Sequence, residues 1–217
     1  MDQAGERVRD RGAYREPGVA RHYRDQRWSG SRHARRTDAR ERAIVADLLE
    51  RCGALACVVD VPCGAGRFRD LLVTRSECVI ECDASLAMLV EGGAARGRAA
   101  VADALALPLQ AGVADLSFCF RLFHHLGTNA ERSQLLAELA RTSRRFVLMS
   151  YFDAATLEAW RHRLRRKMRV RHPLARAAFE ALAASAGLRV VAHRPLARGI
   201  REQVVVLLEK APLRGGA

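Results

Sequence analysis

The stretch that decides the fold is Ala56-Cys57-Val58-Val59-Asp60-Val61, followed by Pro62-Cys63-Gly64-Ala65-Gly66-Arg67. A short continuous apolar run predicts a strand that is buried on both faces of a parallel sheet. This strand ends in an acid, and two glycines follow that let a ligand approach the backbone before the next helix begins. The arrangement is typical of nucleotide-binding α/β proteins. The GK[ST] ending of a P-loop is absent, so a P-loop is excluded.

Apolar runs and helical patterns alternate downstream of this segment. We expect strands at 78–82, 99–102, 115–120 and 146–151, helices at 68–75, 86–95, 131–141 and 174–186, and two final strands at 188–192 and 203–209. Upstream, Asp38 is the predicted cap of a helix that ends at Gly53. The alternation predicts right-handed βαβ units. The fold class is therefore α/β, a three-layer sandwich around a mostly parallel seven-stranded sheet with a C-terminal antiparallel hairpin.

The chain of 217 residues suits one domain. We expect a polar, arginine-rich arm over 1–36, a single domain over 37–211 with a basic helical insert at about 154–172, and a tail over 212–217. No apolar run approaches the roughly 20 residues that cross a bilayer. The first thirty residues contain five acids and lack the apolar core of a secretory signal. These features predict a cytoplasmic protein.

The net charge is +13, and the lysines are Lys167 and Lys210, so the other 35 of the 37 basic residues are arginine. That skew, with the many alanines, is typical of GC-rich coding and does not by itself indicate nucleic-acid binding. The charge still attracts phosphates, anionic lipid or acidic ligands. The six cysteines have no CxxC spacing, so we expect buried free thiols and no metal site.

Acids also follow the later strands. Asp83 closes the second strand, where a carboxylate can accept both hydroxyls of a ribose, and the alternative is that it caps the next helix. Asp103 follows the third strand, and the fourth strand continues into Arg121 and the pair His124-His125. Because ligands bind at the carboxyl ends of such strands, we expect these side chains around one site.

The segments 60–66 (DVPCGAG), 81–85 (ECDAS), 102–109 (ADALALPL) and 114–126 (ADLSFCFRLFHHL) occur in this order. Together they resemble the successive motifs of the class I, seven-stranded S-adenosylmethionine-dependent methyltransferases of the small-molecule type. The resemblance covers about 44–151, and the final hairpin extends it to about 209. It implies S-adenosylmethionine as cofactor, with Asp60 near the methionine amine, Gly64 and Gly66 beneath the cofactor, Asp83 at the ribose and Asp103 at the adenine amine. It also implies that Arg121 lies beside the cofactor after the fourth strand. Pro62, Cys63, Ala84 and Ala104 complete the implied cofactor-binding set.

One position departs from the family pattern. Pro62 stands where the family carries a glycine, and proline supplies no N–H. A dinucleotide dehydrogenase is the structural rival, since it shares the βαβ unit and the ribose acid. The short loop, the DALALP segment and the terminal hairpin favour the methyltransferase. A member that binds cofactor without catalysis is a further alternative.

The expected reaction moves a methyl group from a sulfonium to a nucleophile, so the protein mainly positions the reactants and excludes water. His124 and His125 are the candidate catalytic residues, because an imidazole can take a proton from a hydroxyl acceptor near neutral pH. His125 is favoured because the family often has histidine there. Alternatively, one histidine packs and the other caps or lines the pocket. The histidine pair is the basis for expecting methylation at oxygen of a small or lipid-like acceptor.

The other distinctive segment is Arg161–Arg171, in which seven of eleven residues are basic. With Leu157, Trp160, Leu164 and Met168 at helical spacing, it predicts a cationic amphipathic helix. The alternatives are a lid over the acceptor, contact with an anionic membrane surface, which would make the protein membrane-peripheral, and contact with RNA phosphates. No aromatic stacking ladder accompanies the segment, which makes nucleic acid the less favoured partner and leaves an RNA-modifying methyltransferase as the alternative function.

Overall fold

The computed structural model describes residues 18, 20, 21, 27, 30–94, 98–164 and 171–211. Its strands are β1 (Leu55–Asp60), β2 (Ser76–Asp83), β3 (Ala99–Val101), β4 (Ala114–Cys119), β5 (Ser143–Phe152), β6 (Leu188–Pro195) and β7 (Gln203–Lys210). Within that part of the chain, the helices are α1 (Arg32–Arg51), α2 (Arg69–Val73), α3 (Leu86–Glu91), α4 (Asn129–Thr142), α5 (Leu157–Leu164) and α6 (Arg176–Ser185). A 3₁₀ turn covers Phe123–His125.

The strands form one seven-stranded sheet in the order β3-β2-β1-β4-β5-β7-β6. All pairs are parallel except those of β7, which runs antiparallel to β5 and β6. The order reverses direction between β1 and β4. This is the topological switch point at which open α/β sheets bind ligands, beyond the carboxyl ends of their strands. The predicted fold class is confirmed.

Each face of the sheet carries its own apolar core, because successive strand residues point to opposite faces. Val59, Cys119 and Val206 face the core that α4 and α6 cover, where Leu135, Leu139 and Phe179 are fully buried. The neighbouring strand residues face the second core, which α1 and α2 cover. Its buried members include Val58, Phe118, Val205, Leu48 and Leu72. The sheet is thus enclosed as the continuous apolar strands of the sequence predict.

The first helix begins earlier than the sequence predicts. The Ser31 hydroxyl caps it by accepting a 3.0 Å hydrogen bond from the amide of Ala34, so residues 32–36 are helical rather than part of an arm. Asp38, the expected cap, lies inside the helix and binds Arg67 instead. Serine and aspartate are both good caps, and sequence alone does not choose between them.

The basic insert begins with α5, which tertiary contacts hold in place. The amide of Glu158 donates to the carbonyl of Ile200 at 3.0 Å, and His162 contacts the carboxylate of the buried Glu202 at 3.1 Å. Trp160 is 58% exposed and Leu157 is 43% exposed, so this part of the predicted apolar stripe faces outward. The stripe's Met168 lies outside the described residues. In the part of the chain that the structure describes, no helix is long and apolar enough to cross a membrane.

Candidate active site

The glycine turn after β1 has the backbone that the sequence requires. Gly64 has φ +55° and Gly66 has φ +72°, a region that favours glycine. A Cβ on Gly66 would lie 2.9 Å from the guanidinium carbon of Arg69. A Cβ on Gly92, at the end of α3, would lie 2.8 Å from the carbonyl carbon of Ala65. The turn is therefore closely packed at Ala65 and Gly66, whereas no atom of the described residues lies within 4 Å of a Cβ added at Gly64.

Three buried carboxylates lie at the ends of β1 and β2. Asp60 is 2% exposed, Glu81 3% and Asp83 7%. Burial and the charges of Glu81 and Asp83 raise the pKa of Asp60 well above its ordinary value, while Arg69 opposes the shift. Arg69 pairs with Glu81 at 2.7 Å. Arg69 thus acts on Asp60 and Glu81 but not on Asp83, so acids outnumber cations among the described residues of this site.

Asp83 holds the glycine turn through the backbone. Its Oδ2 accepts a 2.9 Å hydrogen bond from the amide of Gly64, and its Oδ1 accepts one of 2.8 Å from the amide of Ser85. The side chain that caps α3 is Ser85, whose hydroxyl accepts from the amide of Met88 at 3.2 Å. Burial nevertheless raises the pKa of Asp83 above its ordinary value. Each carboxylate oxygen keeps a lone pair for a ligand hydroxyl.

The acids and the turn together fit S-adenosylmethionine, whose ammonium and sulfonium groups are positive. Among the residues that the structure describes, none donates a hydrogen bond to the Asp60 carboxylate. A buried carboxylate without a donor is costly unless a cation binds beside it. Bound cofactor would supply that cation there, together with the activated methyl group.

The edge next to Asp83 is apolar and exposed. Val101 pairs with Asp83 across β2 and β3 and is 55% exposed, and Leu86, at the start of α3, is 63% exposed. Asp103 follows β3; its Oδ1 accepts a 2.9 Å hydrogen bond from the amide of Leu105, and the residue is exposed. Ala104 beside it is buried. These residues could face the adenine ring, with Asp103 near its rim.

Arg121 follows β4 with φ +61°, an uncommon backbone conformation for a residue with a side chain. Its amide donates to the Ser150 hydroxyl at 2.8 Å. Its guanidinium donates to Glu41 of α1 at 3.1 Å and to the side-chain oxygen of Gln203 at 2.7 Å. Glu41 is fully buried and also pairs with Arg67. Arg121 therefore connects the end of β4 to α1 and to the start of β7.

The histidine pair lies in the 3₁₀ turn after β4. The ring of His124 is buried and stacks on Phe152, with 3.8 Å between the centroids and 6° between the planes. Burial lowers the pKa of His124 well below its ordinary value, and the positive charges of His125, Arg121 and Arg171 add to the shift. His124 is therefore neutral at physiological pH. His125 is half-buried, with its ring centroid 4.2 Å from that of His124.

The chain returns to this point after the basic insert. The amide of His172 donates a 2.7 Å hydrogen bond to the carbonyl of His124. The amide of Leu174 likewise donates a 2.8 Å hydrogen bond to the carbonyl of Phe152. The Arg171 guanidinium carbon lies 5.6 Å from the Phe152 ring centroid. The end of the insert thus joins the site beside the histidines.

The structure brings together most of the residues expected from sequence, in two groups. Asp60, Pro62, Cys63, Gly64, Gly66, Asp83 and Ala84 surround the ends of β1 and β2, with Asp103 and Ala104 at the neighbouring edge, whereas Arg121, His124 and His125 lie after β4. Sequence reasoning missed Glu41, Arg69, Phe152 and Gln203, which reach the site through tertiary contacts and which no local motif marks. It named Arg171 only as the last residue of the basic segment.

Comparison with known proteins agrees with this geometry. Residues 59–145 match a family described as Methyltransferase domain. A tRNA (carboxymethyluridine(34)-5-O)-methyltransferase of Xenopus tropicalis is 33% identical over 101 residues, which are 46% of this chain and 16% of that protein. Its Mus musculus counterpart is 30% identical over 100 residues, or 46% of this chain and 15% of that protein. The chain therefore spans about a sixth of the length of these curated relatives.

Solved structures share the fold. The magnesium protoporphyrin IX methyltransferase of Synechocystis PCC 6803, with bound SAH, superposes with a TM-score of 0.73 at 15% identity, covering 94% of this chain and 99% of that one. A possible histamine N-methyltransferase of Thermotoga maritima gives a TM-score of 0.61 at 16% identity, covering 97% and 100%. At these identities the likeness concerns the fold.

The fold is Rossmann-like, with the seven-stranded sheet that these methyltransferase structures share. Residues 59–145 of the chain thus match the methyltransferase domain family, and the whole described chain has the fold of solved methyltransferases that bind S-adenosylmethionine or its product.

Proposed function

We propose that the protein transfers the methyl group of S-adenosylmethionine to an oxygen atom of a small acceptor. The observation that carries the proposal is the negative cluster of Asp60, Glu81 and Asp83 at the switch point of the sheet, beside an open glycine turn. A site of this shape and charge suits a cationic nucleoside. The sulfonium already carries the chemical activation, so the chain has only to bind, orient and exclude water.

The proposed cofactor-binding roles are those that the resemblance to the family implies. Asp60 holds the ammonium group, and the turn Pro62-Cys63-Gly64-Ala65-Gly66 lies beneath the cofactor. Asp83 accepts the ribose hydroxyls while its bonds to Gly64 and Ser85 fix its orientation. Ala84, Asp103 and Ala104 border the adenine together with the exposed apolar surfaces of Leu86 and Val101. Arg121 orients the acceptor side of the site from beside the cofactor.

The acceptor side lies beyond β4 and β5, at His124, His125 and Phe152. A hydroxyl acceptor would need a base there, and half-buried His125 is the better candidate. The curated relatives are named for methylation at an oxygen of carboxymethyluridine, which agrees with oxygen as the methylated atom. A membrane surface draws no support from these relatives, so the proposal names a small acceptor and no lipid surface.

The proposal is tested by calorimetric titration with S-adenosylhomocysteine. Micromolar binding that Asp83→Ala weakens supports it. NAD binding in place of S-adenosylhomocysteine would indicate a dehydrogenase site and refute it.

RNA modification is the second candidate function, because the curated relatives are tRNA methyltransferases and the net charge is +13. An RNA-modifying enzyme would bind tRNA with an affinity that falls steeply as salt rises, since counterions are released from the phosphates. Small-acceptor turnover would change little over the same range. A salt series of tRNA binding and of methyl transfer to tRNA therefore separates the two candidates.

A further inference from the structure

The Phe152 ring, at the carboxyl end of β5, is surrounded by positive charge. The guanidinium carbon of Arg121 lies 6.0 Å from its centroid and that of Arg171 lies 5.6 Å away. The imidazole of His124 stacks on the same ring. We call His124, Phe152, Arg121, Arg171 and Gln203 the acceptor cluster.

Two buried polar atoms of the acceptor cluster have no hydrogen-bond partner among the described residues. They are Nδ1 of His124 and Nε2 of Gln203, and the residues are 1% and 5% exposed. The side-chain oxygen of Gln203 accepts from Arg121 at 2.7 Å, so its free atom is the amide nitrogen, which can only donate. An unpaired buried polar atom destabilises the protein, and a ligand that pairs with it would recover that cost.

The charges of the cluster do not cancel. Glu41 neutralises Arg121, but among the described residues no carboxylate lies within 4.0 Å of Arg171. The other nearby titratable groups, His125 and His172, are also basic and act on His124 with the two arginines. The residue before Gln203 is the buried Glu202, whose carboxylate contacts His162 of α5. Within the described residues, the acceptor cluster therefore offers hydrogen-bond donors and carries net positive charge.

The acceptor cluster lies on the same edge of the sheet as the cofactor-binding acids. β1, β4 and β5 run parallel, with Asp60 opposite Phe118 and Cys119 opposite Met149, so Phe152, the last residue of β5, lies beyond the carboxyl ends of β1 and β4. An acceptor on the cluster would approach the methyl group from the β4–β5 side.

We propose that the acceptor is a carboxylate, which the acceptor cluster binds through Arg171 and the Gln203 amide and which receives the methyl group on a carboxylate oxygen. This rests on the proposed methyl transfer. The carboxylate oxygen forms the new O–C bond while the C–S bond breaks, and its electron pair stays on sulfur. The products are a neutral methyl ester and a neutral thioether. No proton is removed, so the step needs no base, and His124 and His125 act as positioning residues.

Binding of a carboxylate probe tests the inference. Benzoate, with neutral benzamide as its isostere, is titrated into the full chain with and without saturating S-adenosylhomocysteine. Arg171→Met removes the unbalanced charge, and Arg189→Met is the matched control, since Arg189 lies at the opposite edge of the sheet, at the start of β6, and pairs with Glu209. We expect benzoate to bind roughly tenfold more tightly than benzamide, and Arg171→Met to remove that preference, as expected for a charge-assisted hydrogen bond.

The outcomes separate the two proposals. Equal binding of benzoate and benzamide, no binding of benzoate, or an unchanged preference in Arg171→Met overturns the carboxylate site. Failure of S-adenosylhomocysteine to bind, with the benzoate preference intact, overturns the methyl transfer but leaves the anion site standing. A loss of benzoate binding in Arg189→Met as large as that in Arg171→Met would mean a general charge effect and would also overturn the site.

Discussion

The amide of Gly64 donates a 2.9 Å hydrogen bond to Oδ2 of Asp83, which joins the turn after β1 to the end of β2. The proposed ribose acid is therefore also the anchor of the turn beneath the cofactor. Its second oxygen is held in the same way by the amide of Ser85. The two amides fix the carboxylate before any ligand arrives, so that cofactor binding need not order it.

Asp83→Ala should weaken S-adenosylhomocysteine binding by about 1–3 kcal/mol, because the ribose hydroxyls lose their acceptor and the Gly64 amide loses its partner. Calorimetric titration measures the change. Glu77→Ala is the control, since Glu77 lies exposed at the other end of β2. An unchanged dissociation constant in Asp83→Ala would remove this residue from the site.

Asp60→Asn should raise the thermal stability of the cofactor-free protein while weakening cofactor binding. The folded pKa of Asp60 is raised by burial and by neighbouring acids, so stability falls as pH rises from the ordinary pKa of the unfolded chain to the raised folded pKa. The asparagine side chain does not ionise, so the variant avoids the cost of a buried charged carboxylate. A gain of roughly 1 kcal/mol would raise Tm by about 2–4 °C at pH near 7.5, and the gain should shrink towards pH 4.

Scanning calorimetry of Asp60→Asn with and without S-adenosylhomocysteine checks both halves of this prediction. The variant should gain less from the ligand than the native chain, because the ammonium has lost its counter-charge. A variant that is less stable without ligand at neutral pH would show that Asp60 supports the fold instead of opposing it.

The sequence predicts the fold well and the site only in part, for a physical reason. The strands are apolar and the acids at their ends are local, so Asp60, Asp83 and Asp103 can be found from spacing. Arg121 meets Glu41 and Gln203 across separations of 80 and 82 residues, and these contacts exist only after the sheet has formed. Nothing near Gln203 in the chain distinguishes it from any other strand residue. The same applies to Arg171, which is one arginine among seven basic residues until its ring contact with Phe152 sets it apart.

Glu41→Gln should destabilise the protein by about 3–5 kcal/mol, the usual result of removing one partner from a buried ion pair. Glu41 is fully buried and binds both Arg67 and Arg121. Glutamine at this position is neutral, so both arginines would lose their buried counter-charge. Urea unfolding measures the change. Asp47→Asn is the control on the same helix, because its contacts with Arg51 and Arg194 are half-exposed and should contribute under about 1 kcal/mol. Equal effects of the two variants would show that α1 does not hold the site through Glu41.

His125→Ala should slow methyl transfer to a carboxylate acceptor by less than about tenfold, and it should leave S-adenosylhomocysteine affinity unchanged. A general base contributes roughly 10²–10⁴-fold, so a small loss is the expected result where no proton is removed. The rate of the native chain should also stay flat with pH around neutrality, since His124 is already neutral and a carboxylate acceptor is already ionised. Single-turnover rates across that range, for both proteins, provide the measurement. Two results together would contradict this prediction: a rate that falls with unit slope as the pH is lowered, and a rate more than a hundredfold lower in His125→Ala. They would make His125 the catalytic base and would require a hydroxyl acceptor.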